Sequence, residues 1–153
     1  MILTGKYRRK ARELAFKTLY TSDIADKDLD TAFNEYLERY KNSFSDKTLE
    51  YAKFLIDGLK DKKEDIDEKI KSHLTDWKFE RLGYPERALL RLGTFEILYS
   101  PIKDKKRVFV DILDFSNCYL SSKKGTKFIN GILNAIYRES RNYPSAPSST
   151  SNS

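Results

Sequence analysis

Two short segments, far apart in the chain, carry residue types that could bind a polyanion. Residues 6–13 read Lys-Tyr-Arg-Arg-Lys-Ala-Arg-Glu, and residues 123–131 read Lys-Lys-Gly-Thr-Lys-Phe-Ile-Asn-Gly. The first segment places dense positive charge at the start of a predicted helix, and the second places three lysines beside an aromatic ring. Cationic side chains hold phosphates, and an aromatic ring stacks on bases. Together the two segments predict a surface for single-stranded RNA.

The sequence shows no clear set of catalytic residues. The one histidine, His73, has no cysteine or acid at the spacing of a zinc site. Neither Gly125 nor Gly131 belongs to a phosphate-binding glycine loop. Glu96 is the one carboxylate within an apolar run, and such a residue more often faces a polar seam or a basic partner than acts in catalysis. We therefore expect a binding protein with no catalytic residue, metal or cofactor.

The spacing of apolar residues predicts an all-α fold. Apolar residues recur at i, i+3, i+4 and i+7 in about seven segments, and no segment alternates as a strand would. Residues 85–99 are apolar on nearly all sides, which predicts a central helix buried on most of its surface. The positions expected to cap helix starts are Asp26 or Asp28, Ser45 and Asp104.

Length and composition favour one domain, or two subdomains that share a core, within 153 residues. We assign residues 1–143 to a helical domain, with subdomains of about 1–76 and 77–143, and 144–153 to a disordered tail. No apolar run approaches the ~20 residues that span a membrane. The single cysteine, Cys118, fits a reducing cytoplasm and is expected to be a small, buried or half-buried apolar residue.

The net charge of +6 is unevenly distributed. Residues 6–17 hold six cations and one acid, whereas residues 26–50 hold four cations and seven acids. Residues 103–107 add four further cations with one acid. This asymmetry indicates a polyanionic partner on one face of the molecule.

A helical plot at about 100° per residue places the candidate side chains relative to the core. On the first helix, Arg9, Arg12 and Phe16 fall together on the flank of the apolar stripe. On the last helix, Phe128 lies about a quarter-turn from the stripe centre, so it is either a half-buried packing residue or an exposed stacking platform. Gly131 lies in mid-helix, where glycine is unfavourable, and we expect a close helix contact to compensate.

Three segments, in this order and spacing, resemble the NusB family of bacterial transcription antitermination factors. They are Arg8–Ala15 with Leu19-Tyr20, Glu86–Gly93 with Glu96-Ile97-Leu98, and Lys127–Leu133. The resemblance runs from about residue 8 to residue 137. It implies two small helical bundles, a complex with the ribosomal protein NusE, recognition of boxA RNA from ribosomal operons, a place in the RNA polymerase antitermination complex, and no catalysis.

The resemblance also suggests site residues. The predicted RNA-binding residues are the arginines and the aromatic that match the family, together with the lysines of the second basic segment. They are Arg8, Arg9, Arg12, Lys123, Lys124, Lys127 and Phe128. Tyr20 and Glu86 match positions that face NusE. The family often has an aromatic eight residues before Phe128, where this chain has Leu120, and the neighbouring Tyr119 points about 100° away.

Other interpretations remain open at this level. The chain could be a helical protein–protein adaptor whose basic patch serves solubility or another acidic partner, or a helix-turn-helix DNA binder. A related fold heads some ribosomal RNA cytosine methyltransferases, but the cofactor-binding half of such enzymes has no counterpart in these residues. Whether free chains form a homodimer is also open.

Overall fold

The computed structural model describes residues 5–75 and 78–142, which form helices and connecting turns without a strand. The α-helices of this part are α1 (Gly5–Ala25), α2 (Leu29–Tyr40), α3 (Asp46–Asp61), α4 (Lys63–Lys71), α5 (Tyr84–Tyr99), α6 (Lys105–Tyr119) and α7 (Lys123–Asn142). Short 3₁₀ helices cover Lys41–Ser43 and Phe79–Arg81. The all-α prediction is confirmed.

Capping side chains fix where three of the helices begin. The backbone N–H of Thr31 donates to Asp28, that of Thr48 to Ser45, and that of Arg107 to Asp104. Each cap satisfies one of the N–H groups that a helix start leaves without a partner. These caps confirm the predicted starts and select Asp28 over Asp26, which instead follows α1 with a left-handed φ of 53°.

The central helix is α5, as its sequence predicts. Nine consecutive or near-consecutive residues between Ala88 and Ile97 are buried. Around it pack α1, α3, α4, α6 and α7. Gly93 permits the close approach of α7, because a Cβ at this position would lie 2.9 Å from Leu133 Cδ2 of that helix.

The first helix also has neighbours on several sides, since α1 packs against α2, α3 and α5. Its predicted apolar stripe is buried, including Leu14, Ala15 and Thr18. The predicted subdomain boundary falls at residues 76 and 77, which lie outside the described residues, and the division stays a prediction. The predicted disordered tail, 144–153, lies outside them as well.

Across residues 5–75 and 78–142, none of the helices is both long enough and apolar enough to cross a bilayer.

Candidate RNA interface

Arg9 brings the basic start of α1 to the end of α6. Its side chain is exposed, and Nη2 donates to the Sγ of Cys118 at 3.2 Å. The hydrogen bond to the thiol raises the pKa of Arg9. The guanidinium carbon also lies 5.8 Å from the ring centroid of Phe115. Arg9 is thus held beside α6 with its charge open to solvent.

Cys118 differs from its expected character. The structure exposes this thiol, so the expectation of a buried or half-buried apolar residue was wrong. The position near the end of α6 turns the side chain outward, where it accepts the hydrogen bond from Arg9. Cys118 is therefore part of the basic surface.

Arg8 lies under the same surface rather than on it. Only 7% of the residue is exposed, and Nη2 lies 3.7 Å from Oδ2 of Asp111. Asp111 is shared, because its Oδ1 lies 3.3 Å from Nε of Arg107. The Nε of Arg8 is buried and has no hydrogen-bond partner among the described residues. The family match at Arg8 thus falls on a side chain with little surface to offer an RNA.

Arg12 is buried inside the helical core. It is 2% exposed, and its Nε and Nη2 donate to the two carboxylate oxygens of Glu96 at 2.6 and 3.1 Å. The hydroxyl of Tyr51 donates to Oε1 of the same carboxylate at 2.6 Å. Burial alone would lower the pKa of Arg12, but the Glu96 carboxylate outweighs it and the pKa is raised. Glu96 thus faces a basic partner, as its sequence context indicates.

The expected flank position of Arg12 and Phe16 was therefore wrong. Phe16 is 7% exposed, and its ring lies 4.5 Å from the ring of Tyr119 and 6.2 Å from that of Phe115. The physical reason is the number of neighbours: α1 contacts α2, α3 and α5 along its length and also packs Phe16 against the rings of α6, so its buried arc is wider than a single apolar stripe. Of the three residues plotted together, Arg9 alone stays exposed.

The second basic segment opens α7 around a shallow cleft of about 660 Å³. Ser122 begins the helix, because its Oγ accepts from the N–H of Gly125 at 2.9 Å and its carbonyl accepts from the hydroxyl of Thr126 at 3.0 Å. The cleft is lined in part by the three predicted lysines, all of which are exposed: Lys123, Lys124 and Lys127. Three unneutralised cations in one turn and a half suit phosphate groups.

Phe128 is a partly buried residue that packs against the core, and its role as a stacking platform stays a prediction. The side chain packs against the core with part of its surface. The remaining surface is accessible to solvent at the start of α7. A partly exposed ring that is anchored on one side could stack on a base. Neighbouring Lys127 and Lys124 supply the charge.

Both basic segments lie near the carboxyl end of α6. Arg9 reaches Cys118 in the last turn of this helix, and α7 begins at Lys123 after a three-residue connection. The ring of Tyr119 faces α1 and lies 4.5 Å from the ring of Phe16. Burial is the main cause of the raised pKa of Tyr119. Leu120 lines the cleft. The second aromatic platform of the family has no exposed counterpart in these two side chains, so Phe128 is the ring available here.

Tyr20 and Glu86 lie together on a different surface. Tyr20 is 37% exposed, and its ring centroid is 6.5 Å from that of Tyr84, which is 42% exposed. A Cβ at Gly83 would lie 2.3 Å from Oε1 of Glu86, so the carboxylate rests against the start of α5. An exposed aromatic pair beside a charge is typical of a protein-binding surface.

Sequence analysis did not identify Tyr84 or Arg87 as parts of this surface. The guanidinium of Arg87 lies 5.0 Å from the Tyr84 ring centroid, and its Nε donates to Asp23 at 3.2 Å. The signal available was the Tyr-Pro-Glu-Arg order at the start of α5, which exposes the first turn of an otherwise buried helix.

No group of three or more His, Cys, Asp or Glu side chains in the described part of the chain could hold a metal ion. His73 instead faces Oε1 of Glu139 at 3.5 Å, and the same oxygen accepts from Lys69 at 2.7 Å. These contacts tie the end of α4 to α7.

Comparisons with known proteins identify the family of this chain. The model of the NusB family matches residues 9–138. The transcription antitermination protein NusB of Persephonella marina is 46% identical over 134 residues, which make up 88% of this chain and 94% of that protein. The corresponding protein of Aquifex aeolicus is 42% identical over 133 residues, 87% of this chain and 88% of the relative.

A solved structure extends the likeness to the fold. A chain in the crystal structure of the antitermination factors NusB and NusE in complex with dsRNA is 40% identical, with a TM-score of 0.77. The match covers 89% of this chain and 99% of that chain. By sequence over most of its length and by the arrangement of its helices, the chain belongs to the NusB family.

Proposed function

We propose that this protein is a transcription antitermination factor that binds boxA-type single-stranded RNA of ribosomal operons together with NusE, and so supports ribosomal RNA transcription. The observation that carries the proposal is that two basic segments and the partly exposed Phe128 lie near one end of α6. A similar chain has been solved with NusE and double-stranded RNA. In this role the protein acts by binding, in the cytoplasm, and it catalyses no reaction.

The predicted RNA-binding residues differ in how deeply they are buried. Arg9, Lys123, Lys124 and Lys127 are exposed and neutralise phosphates, and Phe128 stacks on a base. Arg8 and Arg12 lie below this layer and position α1, through Asp111 and Glu96 respectively. The RNA contacts are therefore made by α1 and α7 at the level of the α6 end.

NusE is proposed to bind the separate surface of Tyr20, Tyr84 and Glu86. Two exposed tyrosines and a carboxylate at the start of α5 offer an aromatic anchor and a charge. Because this surface and the RNA interface involve different residues, one chain can hold both partners. The RNA polymerase antitermination complex then receives the protein together with NusE and the transcript.

A titration of labelled boxA-type RNA with and without NusE tests this function. We expect saturable binding that NusE strengthens and that a scrambled RNA and a duplex DNA of equal charge do not reproduce. A duplex RNA competitor distinguishes the single-stranded preference from recognition of A-form RNA. Equal affinity for duplex DNA would favour a DNA binder and would contradict the proposal.

The partner surface has its own test in Glu86→Lys. A reversed charge in a desolvated interface costs about 2–5 kcal/mol of binding. The same change costs on the order of 1 kcal/mol of folding stability, because it opposes the dipole at the start of α5. Calorimetry with NusE should therefore show a loss larger than the change in unfolding free energy, and unchanged affinity would remove Glu86 from the interface.

A further inference from the structure

The outer face of α7 continues the basic surface beyond Phe128. At 100° per residue, the side chains opposite the buried Ile129, Leu133 and Ile136 share one direction. Those that point outward are Lys124, Lys127, Gly131, Ala135 and Arg138. All are exposed except Ala135, which is partly exposed, and the strip they form has no acidic residue.

Gly131 has an unexpected environment at the centre of this strip. A close helix contact was expected to explain a glycine in mid-helix, and this expectation was wrong, because an added Cβ would meet nothing within 4 Å. Gly93 on α5 shows the opposite case, with Leu133 at 2.9 Å. Packing inside the molecule therefore gives no reason for Gly131. A glycine on an exposed helix face lets a ligand approach the backbone closely.

A second basic cleft, of about 710 Å³, lies between the ends of α5, α6 and α7, and its lining includes Arg141, which is one helical turn beyond Arg138 of the strip. Its cationic side chains are Lys69, Lys103, Lys105, Lys106 and Arg141. The two acids at the cleft are engaged: Asp104 caps α6, and Glu139 accepts from Lys69. Lys103 and Lys106 have no ion pair within the described residues, which leaves an excess of positive charge facing solvent.

Most of the positive charge of residues 103–107 lies at this cleft. The RNA interface at the other end of α6 does not include these residues. Lys105 is partly committed, because its Nζ donates to the carbonyl of Ser100 and burial lowers its pKa. Tyr99 and Tyr137 form the aromatic part of the lining. The lining thus repeats the combination of lysines and rings found near Phe128.

We propose that RNA bound at Phe128 continues along the outer face of α7, past Gly131, into the cleft of Lys103 and Lys106. Lys124 and Arg138 are 14 positions apart on one helix, which corresponds to a path of about 21 Å. This continuity with the RNA interface selects RNA over an acidic peptide as the occupant. The inference rests on the proposed function and extends it, since it assigns the phosphates that flank the recognised element to α7 and to the cleft.

The experiment compares a core boxA-type RNA with the same RNA extended by unstructured nucleotides at either end. The variant is Lys103→Gln with Lys106→Gln, and its matched control is Lys41→Gln with Lys53→Gln, an equal charge change at exposed residues outside the cleft. We expect wild-type protein to bind one extended RNA more tightly than the core. The cleft variant should lose this gain, and its log–log salt slope on extended RNA should fall by about 1.4, or about 0.7 for each phosphate contact.

The outcomes separate the two proposals. Absence of a gain from either extension, or equal losses in the cleft variant and the control, would overturn the path along α7. Core RNA that binds with no dependence on Phe128 would instead overturn the proposed function. Capture of a polyglutamate peptide that depends on Lys103 and Lys106, with the RNA gain intact, would assign the cleft to an acidic protein and also overturn the path.

Gly131→Ala tests the centre of the path independently. Alanine is the better helix former and has room for its Cβ, so the melting temperature should rise. Affinity for the core and extended RNAs should fall, and this loss cannot come from unfolding because the variant is more stable. Wild-type RNA affinity in Gly131→Ala would exclude a close backbone approach at this position.

Discussion

Arg9 and Arg12 are one helical turn apart in α1, and their surroundings are opposite. Arg9 is exposed and donates a hydrogen bond to a thiol, whereas Arg12 is 2% exposed and donates two hydrogen bonds to a carboxylate. The difference comes from the neighbouring helices. The central helix α5 presents Glu96 beneath Arg12, while α6 presents its last turn and Cys118 to Arg9. The same residue type therefore anchors α1 at one position and remains available for a ligand at the other.

The energetic consequences of the two positions also differ. A buried charge that loses its partner is strongly unfavourable, while an exposed charge contributes little to stability. Glu96 has three hydrogen bonds from Arg12 and Tyr51, so α1, α3 and α5 meet at one carboxylate. Changes at this triad should alter folding, and changes at the exposed layer should alter RNA binding. Each prediction below tests that separation.

The largest effect is expected for Glu96→Gln, which leaves the guanidinium of Arg12 buried without its counter-charge. Breaking a buried pair in this way typically costs about 3–5 kcal/mol. Urea unfolding at neutral pH measures the loss. Adding Arg12→Met should recover part of it, because residues in one network are not additive. A loss below about 1 kcal/mol would show that the pair does not hold α1 in place.

Tyr51→Phe should have the next largest effect on stability. It removes one hydrogen bond to a buried carboxylate, which is worth about 1.5–3 kcal/mol. The measurement is again urea unfolding, with Tyr36→Phe as a control on a half-buried tyrosine of α2.

Tyr51 also predicts a pH dependence with a definite sign. Burial, and then the Glu96 carboxylate, raise the pKa of Tyr51 above its ordinary value. The unfolded chain therefore loses this proton first, and its contribution to stability is complete below about pH 10 and declines above it. The stability gap between wild type and Tyr51→Phe should shrink above that pH. A gap that stays constant or widens would contradict the raised pKa.

The parts of the fold that sequence predicted are those governed by local chemistry. Asp28, Ser45 and Asp104 cap helices because a side-chain oxygen within three residues of a free N–H suffices. The burial of α5 follows from an apolar surface on all sides. Both depend on residues adjacent in the chain.

The parts that sequence missed depend on which helices meet. Arg12 and Phe16 were placed on the flank of the core stripe, because one plotted stripe cannot show that α1 contacts α2, α3 and α5 and packs Phe16 against rings of α6. A basic residue on α1 and an acid on α5, 84 positions apart, form a pair that periodicity cannot reveal. Gly131 was misjudged for the converse reason, because the expected neighbour is absent. Long-range contacts, rather than helix propensity, set these outcomes.

Phe128→Ala applies the same comparison of buried and exposed residues to α7, where Phe128 is a partly exposed aromatic residue. Loss of one stacked base should reduce affinity for single-stranded RNA by about 1–3 kcal/mol. The salt slope should not change, because stacking releases no counterions. Since the ring is only partly buried, destabilisation should stay below the 3–5 kcal/mol typical of a buried Phe. Intact RNA affinity with a large drop in melting temperature would make Phe128 a packing residue only.

Arg9→Ala is expected to give the smallest effect and the clearest contrast with the buried triad. An exposed arginine that neutralises one phosphate of a single strand should lower the log–log salt slope by about 0.7 when it is removed. The free energy of unfolding should change by no more than about 0.5 kcal/mol, because the side chain is exposed and its one hydrogen bond is to a thiol. Salt titrations of RNA binding, with Lys41→Ala as an exposed control outside the interface, measure the first quantity, and urea unfolding measures the second. If Arg9→Ala left the salt slope at its wild-type value, the start of α1 would not belong to the RNA interface. If Arg9→Ala lowered the free energy of unfolding as much as Glu96→Gln is expected to do, both arginines would have a structural role. The distinction between buried structural residues and exposed binding residues would then fail.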